Sequence, residues 1–192
     1  MPAAGHHPSG ARRILVYGVT GSGKSTAALR LGERLGLPVT LVDELTWLPG
    51  WVPVSDERQR ELIADIASGE EWILDSAYGA WLHVVLPRTE LVVGLDYPRW
   101  FSLQRLVRRT VSGALSKEPR CNGNTESWRG MFSRASIIRW HFASFARKRD
   151  RMRRWAHSAD GPPIVLLKNS TELDAWVAAL RTEQAPGGPA GH

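Results

Sequence analysis

The stretch "GVTGSGKST", residues 18–26, decides how this chain is read. It fits the spacing G-x4-G-K-[ST], with Gly18, Gly23, Lys24 and Ser25 at the fixed positions. Glycines let successive backbone N–H groups turn inward around phosphate oxygens, and the start of a following helix adds partial positive charge. The flanks supply the context that this geometry requires. "RRILVY" (12–17) reads as a buried strand, and "KSTAALRLGERLG" (24–36) reads as a helix closed by Gly36 and Pro38. Gly18, Thr20, Gly21, Ser22, Gly23, Lys24, Ser25 and Thr26 are therefore expected to wrap a nucleotide phosphate chain. Lys24 should reach the β- and γ-phosphates, and the Ser25 hydroxyl should hold Mg²⁺.

Outward from the loop, apolar strands alternate with helices. "VTLVD" (39–43), "WILD" (72–75), "LVVGLDY" (91–97) and "IVLLK" (164–168) read as four more strands. "ELTWLPGWVP" (44–53) reads as a loop, and a helix capped by Ser55 runs to about Ser68. "GAWLHVVL" reads as a short helix, and Pro98 opens a helix to about residue 116. A long helix spans about 126–156, stepping through Trp128, Met131, Ala135, Ile138, Phe142, Phe145, Met152 and Trp155. A last helix ends near Arg181. Continuously apolar strands between helices predict an α/β fold, a parallel sheet covered on both faces. A single domain is expected over 12–182, with disordered ends at 1–11 and 183–192.

Composition narrows the class. Hydrophobic residues make up 43% and charged residues 23%, as in an ordinary globular domain. No stretch approaches the roughly 18 apolar residues that a membrane span requires, and "MPAAGHHPSGARR" lacks the apolar run of a secretory signal. A single cysteine, Cys121, excludes an internal disulfide, so a cytoplasmic setting is expected. Charge is uneven. Residues 1–98 hold 8 basic and 12 acidic residues; residues 99–192 hold 17 and 7. A basic second half suits an anionic partner, either nucleotide phosphates or nucleic acid.

The phosphate loop alone leaves the reaction open. A GTPase would carry N-K-x-D, and "LLKNS" (166–170) lacks its order and its acid; a large motor ATPase needs a longer chain. From Arg12 to about Arg181 the chain resembles the adenylate-kinase-like group of P-loop kinases, which includes nucleoside monophosphate, shikimate and gluconate kinases. "GVTGSGKS" is most similar to the gluconate and guanylate kinase loops. "DELTWLPGW", "NGNTESWR" and "FSRASI" resemble small bacterial proteins called adenylate kinase-related or DNA topology modulation proteins. The resemblance implies a P-loop NTPase of three α/β/α layers. It implies a five-stranded parallel sheet in order 2-3-1-4-5 and a short helical lid over ATP at about 117–135.

It also implies roles for particular residues. Asp43, read at the end of the second strand, lies at the carboxyl edge where open α/β sheets bind ligands. The resemblance to shikimate kinase gives it contact with the acceptor hydroxyl; Glu44 matches less well. Asp75 follows an apolar strand in the Walker-B manner and is expected to hold Mg²⁺. The adenylate kinase segment Asp-Gly-Phe-Pro-Arg is replaced by "DSAYG" (75–79), so the arginine that would bind a nucleoside monophosphate is missing. Asp96 is read as a cap before Pro98. "RLVRR" (105–109) aligns with the arginine helix preceding the lid, giving Arg105 and Arg109 a phosphate-clamping role on one helix face. Arg134, and less strongly Arg129, would come from the returning lid helix. Asn122-Gly123-Asn124 should turn tightly, and Cys121 is read as an ordinary thiol.

Of nine tryptophans, Trp72, Trp100, Trp128, Trp140 and Trp155 are read as packing residues. Trp47 and Trp51 flank Pro49-Gly50 just after Asp43, where they would either stack on an acceptor or seal the loop. "RKRDRMRR" (147–154) is read as a solvated helix face in preference to a nucleic acid surface. The sequence thus predicts a kinase that uses ATP and Mg²⁺ to phosphorylate a small molecule or nucleotide. The alternatives are a nucleotide-regulated DNA-binding protein and a kinase of polynucleotide 5′-hydroxyl ends. A monomer and a homodimer are both compatible with it, and no membrane association is expected.

Overall fold

The structure is a computed structural model that describes residues 10–116, 121–124 and 137–180. Seven strands are described: β1 Arg13–Gly18, β2 Val39–Thr40, β3 Trp47–Leu48, β4 Val52–Pro53, β5 Trp72–Leu74, β6 Leu91–Leu95 and β7 Ile164–Leu167. The α-helices are α1 Lys24–Leu35, α2 Val42–Thr46, α3 Asp56–Ser68, α4 Leu82–Val85, α5 Arg99–Ser116, α6 Ile137–His157 and α7 Ser170–Ala179. The lid expected at 117–135, including Arg129 and Arg134, lies outside the described residues apart from 121–124. So do Trp128 and most of both chain ends.

Five strands form one parallel sheet in the order β2-β5-β1-β6-β7. Counted among themselves in chain order, these strands lie 2-3-1-4-5. β1 is central, pairing Leu15 with Leu74 of β5 and with Val92 of β6. Alternate β1 residues enter different cores. Ile14 and Val16 pack with α1 and α7 through Ala28, Leu31, Leu173 and Val177. Leu15 and Tyr17 pack on the other face with Ile63, Trp81, Val85 and Met152 from α3, α4 and α6. Each strand of a doubly covered sheet is apolar on both sides, which is why its sequence shows no alternation.

Two segments differ from their sequence reading. The strand read at 39–43 ends at Thr40, because the Val42 amide donates to the Asp75 carboxylate at 2.8 Å and a helical turn begins there. Asp43 therefore sits in the first turn of α2 rather than at a strand end. The segment read as a loop forms a two-stranded hairpin, with Trp47 opposite Pro53 and Leu48 opposite Val52. At its tip Gly50 (φ 80°) and Trp51 (φ 58°) are both left-handed.

Parallel strands bring all their carboxyl ends to one edge. β1 delivers Gly18 there, β2 leads to Asp43, β5 to Asp75 and β6 to Asp96. No helix among the described residues is long and apolar enough to cross a membrane.

Candidate functional site

The phosphate loop is built by β1 and α1. Gly21 (φ 81°) lies so close to α5 that a Cβ there would meet the Ser102 carbonyl oxygen at 2.4 Å. Gly23 (φ 90°) caps α1, and a Cβ on it would lie 3.0 Å from the Arg105 guanidinium. Both positions need glycine for conformation, and Gly21 needs it for space as well because its neighbour is backbone. The Ser22 amide, the Ser22 hydroxyl and the Lys24 ammonium all donate to the Val19 carbonyl, at 3.2, 2.8 and 3.1 Å. Lys24 is thus folded back over the loop. Burial pushes its ammonium below the ordinary lysine range, with Asp43 and Asp75 opposing and Arg109 adding to the shift. Thr20 forms the tip of the loop, and Thr26 is exposed on the first turn of α1.

Ser25 Oγ donates to Asp75 Oδ2 at 2.6 Å. Burial raises the Asp75 carboxyl above its usual range, against the hydrogen bonds from Ser25 and Val42. These two oxygens fit Mg²⁺. The ion takes few protein ligands and otherwise keeps water and substrate phosphates. Among the described residues no group of three or more His, Cys, Asp or Glu is placed to hold a metal ion.

Asp43 is exposed beside this pair and accepts a hydrogen bond from the Tyr78 hydroxyl on Oδ1. Burial, then the Asp43 charge, raises the Tyr78 phenol above its usual range, so it stays a donor. Arg105 lies against Gly23, and Arg109 is close enough to act on Lys24, so the i, i+4 arginines reach the loop from one face of α5. On the adjoining face Leu106 and Thr110 are fully buried, with Leu106 against Gly21, whereas Val107 is 38% exposed.

The hairpin closes the other side. Trp47 and Trp51 meet edge to face with ring centroids 5.9 Å apart. Asn122 donates to the carbonyls of Glu44 and Trp47, at 2.6 and 2.7 Å. Asn124 Oδ1 accepts from the Trp51 amide at 2.9 Å, and its Nδ2 donates to the Leu48 carbonyl at 3.0 Å. Asn122 (φ 51°) and Gly123 (φ 75°) make the tight turn expected of them.

Some sequence readings are corrected here. Trp100 is 67% exposed and Trp140 50% exposed, so neither is core. Phe142, placed on the apolar stripe of the long helix, is 49% exposed, while its neighbour His141 is fully buried. His141 Nδ1 lies 3.0 Å from the Thr20 carbonyl at the loop tip, and burial lowers the pKa of the ring. Asp96 is no turn cap. It is 6% exposed and pairs with Arg149 (2.5 Å) and Arg153 (3.0 Å). Arg151 donates to the Tyr17 hydroxyl at 3.2 Å. The basic run is therefore divided: Arg149, Arg151 and Arg153 reach the sheet edge, while Arg147 and Arg154 lie on the exposed face.

Sequence reasoning missed Tyr78, His141, Lys148 and the clasp made by Asn122 and Asn124. The signal for His141 and Lys148 was the seven-residue step between them, which puts both on one helix face.

No family model matches the chain. It is 31% identical over 100 residues to "Uncharacterized protein YqaC" of Bacillus subtilis (strain 168). That alignment spans 51% of this chain and 56% of the relative, so the chain covers little more than half its length. Among solved structures, a gluconokinase from Sinorhizobium meliloti 1021 superposes with a TM-score of 0.51 at 18% identity, covering 88% of this chain and 93% of that one. A shikimate kinase from Acinetobacter baumannii in complex with shikimate gives 0.56 at 16% identity, covering 90% and 93%. At such identities the likeness is one of fold, and the fold is that of P-loop kinases.

Proposed function

We propose that this protein is a phosphotransferase that moves the γ-phosphate of ATP to a hydroxyl of a small molecule or nucleotide. One observation carries the reading: Lys24, the Ser25–Asp75 pair and Asp43 converge at the carboxyl edge of the sheet. The fold shared with gluconate and shikimate kinases supports it. The stretches "DELTWLPGW", "NGNTESWR" and "FSRASI" support placing the chain beside the adenylate kinase-related proteins.

In this reading the backbone from Gly18 to Ser25 and the Lys24 ammonium bind the phosphates. Ser25 and Asp75 hold Mg²⁺, which supplies charge neutralisation at the phosphates when bound. Asp43, oriented by Tyr78, accepts the proton of the acceptor hydroxyl. The freed oxygen forms a bond to the γ-phosphorus, the bond from that phosphorus to the β–γ bridging oxygen breaks, and its electron pair leaves with ADP. Arg105 and Arg109 stabilise the charge spread over the transferring group. Arg134, outside the described residues, is assigned to the same clamp by the family resemblance alone, and Trp47 and Trp51 line the acceptor side.

The test is transfer from γ-labelled ATP to a panel of nucleosides, nucleoside monophosphates, sugar acids, polyhydroxy acids and 5′-hydroxyl oligonucleotides. Labelling of one class is expected, with Lys24→Ala reducing kcat by at least ~10²-fold, the scale of one electrostatic stabiliser. Near-normal turnover in that variant would sink the reading.

A further inference from the structure

Helix α6 crosses the carboxyl edge with one stripe facing inward. His141 sits at the tip of the phosphate loop, Met152 is fully buried with its sulfur against Gly94, and Trp155 meets Tyr17 edge to face at 4.9 Å. Lys148 lies seven residues beyond His141 and four before Met152, so helical geometry puts it on the same face, between those contacts. Its neighbours are committed elsewhere, Arg149 to Asp96 and Arg151 to Tyr17. Lys148 is half-buried and makes no hydrogen bond or salt bridge with the described residues. The charged groups acting on it are Lys24 of α1, Asp43 of α2, and Arg147 and Arg151 of its own helix. Burial and the Lys24 charge bring its ammonium down to about 7.

A buried cation without a counter-ion is costly. Three cations and one carboxylate act on Lys148, so its surroundings carry an excess of positive charge until an anionic substrate arrives. On the donor side, the loop amides, Lys24, Arg105 and Arg109 already serve ATP. Lys148, on the α6 face that brings His141 to the loop tip, feels the charges of both Lys24 and Asp43.

We propose that Lys148 contacts the acceptor and that the acceptor bears an oxyanion, a carboxylate or phosphate, near the hydroxyl to be phosphorylated. The proposal rests on the kinase reading above. The other source of an oxyanion at this place is the γ-phosphate of the donor, and the experiment separates the two.

The full chain is saturated with a non-transferable MgATP analogue, which fills the γ-position, and inorganic phosphate is titrated calorimetrically. Lys148→Met should weaken phosphate binding about tenfold or more, the scale of one charged hydrogen bond, and leave analogue affinity intact. Lys148→Arg should keep most of the binding. Melting curves of both variants report folding, and the arginine variant keeps the test readable if the methionine variant does not fold. Equal losses for analogue and phosphate would assign Lys148 to the donor and overturn the proposal. Unchanged phosphate binding in Lys148→Met, or none in the wild type, would overturn it as well. Absence of analogue binding in the wild type would instead count against the kinase reading, and phosphate titrated alone would still report on Lys148.

Discussion

Ser25 and Asp75, fifty residues apart in sequence, are joined by a 2.6 Å hydrogen bond from the serine hydroxyl to the carboxylate. The same carboxylate accepts the Val42 amide at 2.8 Å and so starts the helical turn that carries Asp43. One side chain therefore links the glycine-rich loop to the helical turn that carries Asp43.

Asp75→Asn should separate stability from activity. Asparagine preserves the shape and can still accept from Val42, but it removes a carboxylate whose pKa burial raises. With a folded pKa above the unfolded one, the ionised group lowers stability as pH rises through the folded value. The nucleotide-free variant should melt at or above the wild-type temperature at pH 7, with the difference shrinking under acid. Phosphoryl transfer should fall by about 10²-fold and require more Mg²⁺. A large drop in melting temperature with transfer intact would contradict this role.

Asp43→Asn should retain ATP binding, since the loop amides and Lys24 remain, while transfer falls by about 10²-fold or more. Tyr78→Phe should give a smaller loss, because it removes only the hydrogen bond that orients Asp43. Calorimetry for nucleotide and single-turnover kinetics for transfer distinguish the two steps. Loss of ATP binding in Asp43→Asn would show that the carboxylate shapes the loop instead.

Asn124→Ala deletes its own two hydrogen bonds to the hairpin, at Trp51 and Leu48, and leaves the bond from Asn122 to the Trp47 carbonyl. Asn124 is 3% exposed, so the Leu48 carbonyl and the Trp51 amide lose a partner that is itself buried. A cost of about 1–3 kcal/mol is expected in chemical denaturation, together with faster amide exchange at Trp51. Unaltered exchange there would mean that the hairpin holds itself in place.

Asp96 anchors α6 through two arginines. The double substitution Arg149→Ala with Arg153→Ala leaves a buried carboxylate unpaired and should cost about 3–5 kcal/mol. Each single substitution should cost clearly less, because the remaining arginine still faces Asp96. Singles that sum to the double would show that the two arginines act independently of this carboxylate.

Lys148 gives a pH signature. An unfolded lysine keeps its proton up to its ordinary value of 10.5, whereas the folded ammonium releases it near 7. Between these values the unfolded chain binds the extra proton, so this group makes stability rise with pH across that window. Below 7 the fold carries the full cost of burying the ammonium and of its repulsion by Lys24, Arg147 and Arg151, opposed by Asp43. Lys148→Met should therefore raise the melting temperature more at pH 6 than at pH 9. Equal gains at both pH values would show that Lys148 is hydrated in the fold.

The local features were legible in the chain itself. The glycine spacing of residues 18–26 predicts the tight loop between β1 and α1, where Gly21 and Gly23 are left-handed. Apolar runs such as "WIL" and "LVVGL" dictate strands buried on both faces, and hence the parallel sheet and the edge where the site forms. Asp75 was readable for the same reason, because it follows a strand directly. Asp43 was placed at the right edge but on the wrong element, since the Val42 amide that ends β2 is held by a residue 33 positions away. The basic run was the hardest to read. Composition treats its arginines alike, yet Arg149 and Arg153 turn to Asp96 while Lys148 turns into the cleft. Helical phase alone orders those directions, and only the docking of α6 on the sheet decides which direction is inside. Sequence fixes what is local or periodic; charges that meet across distant elements are assigned by packing, because their energies depend on separation and burial that no single segment specifies.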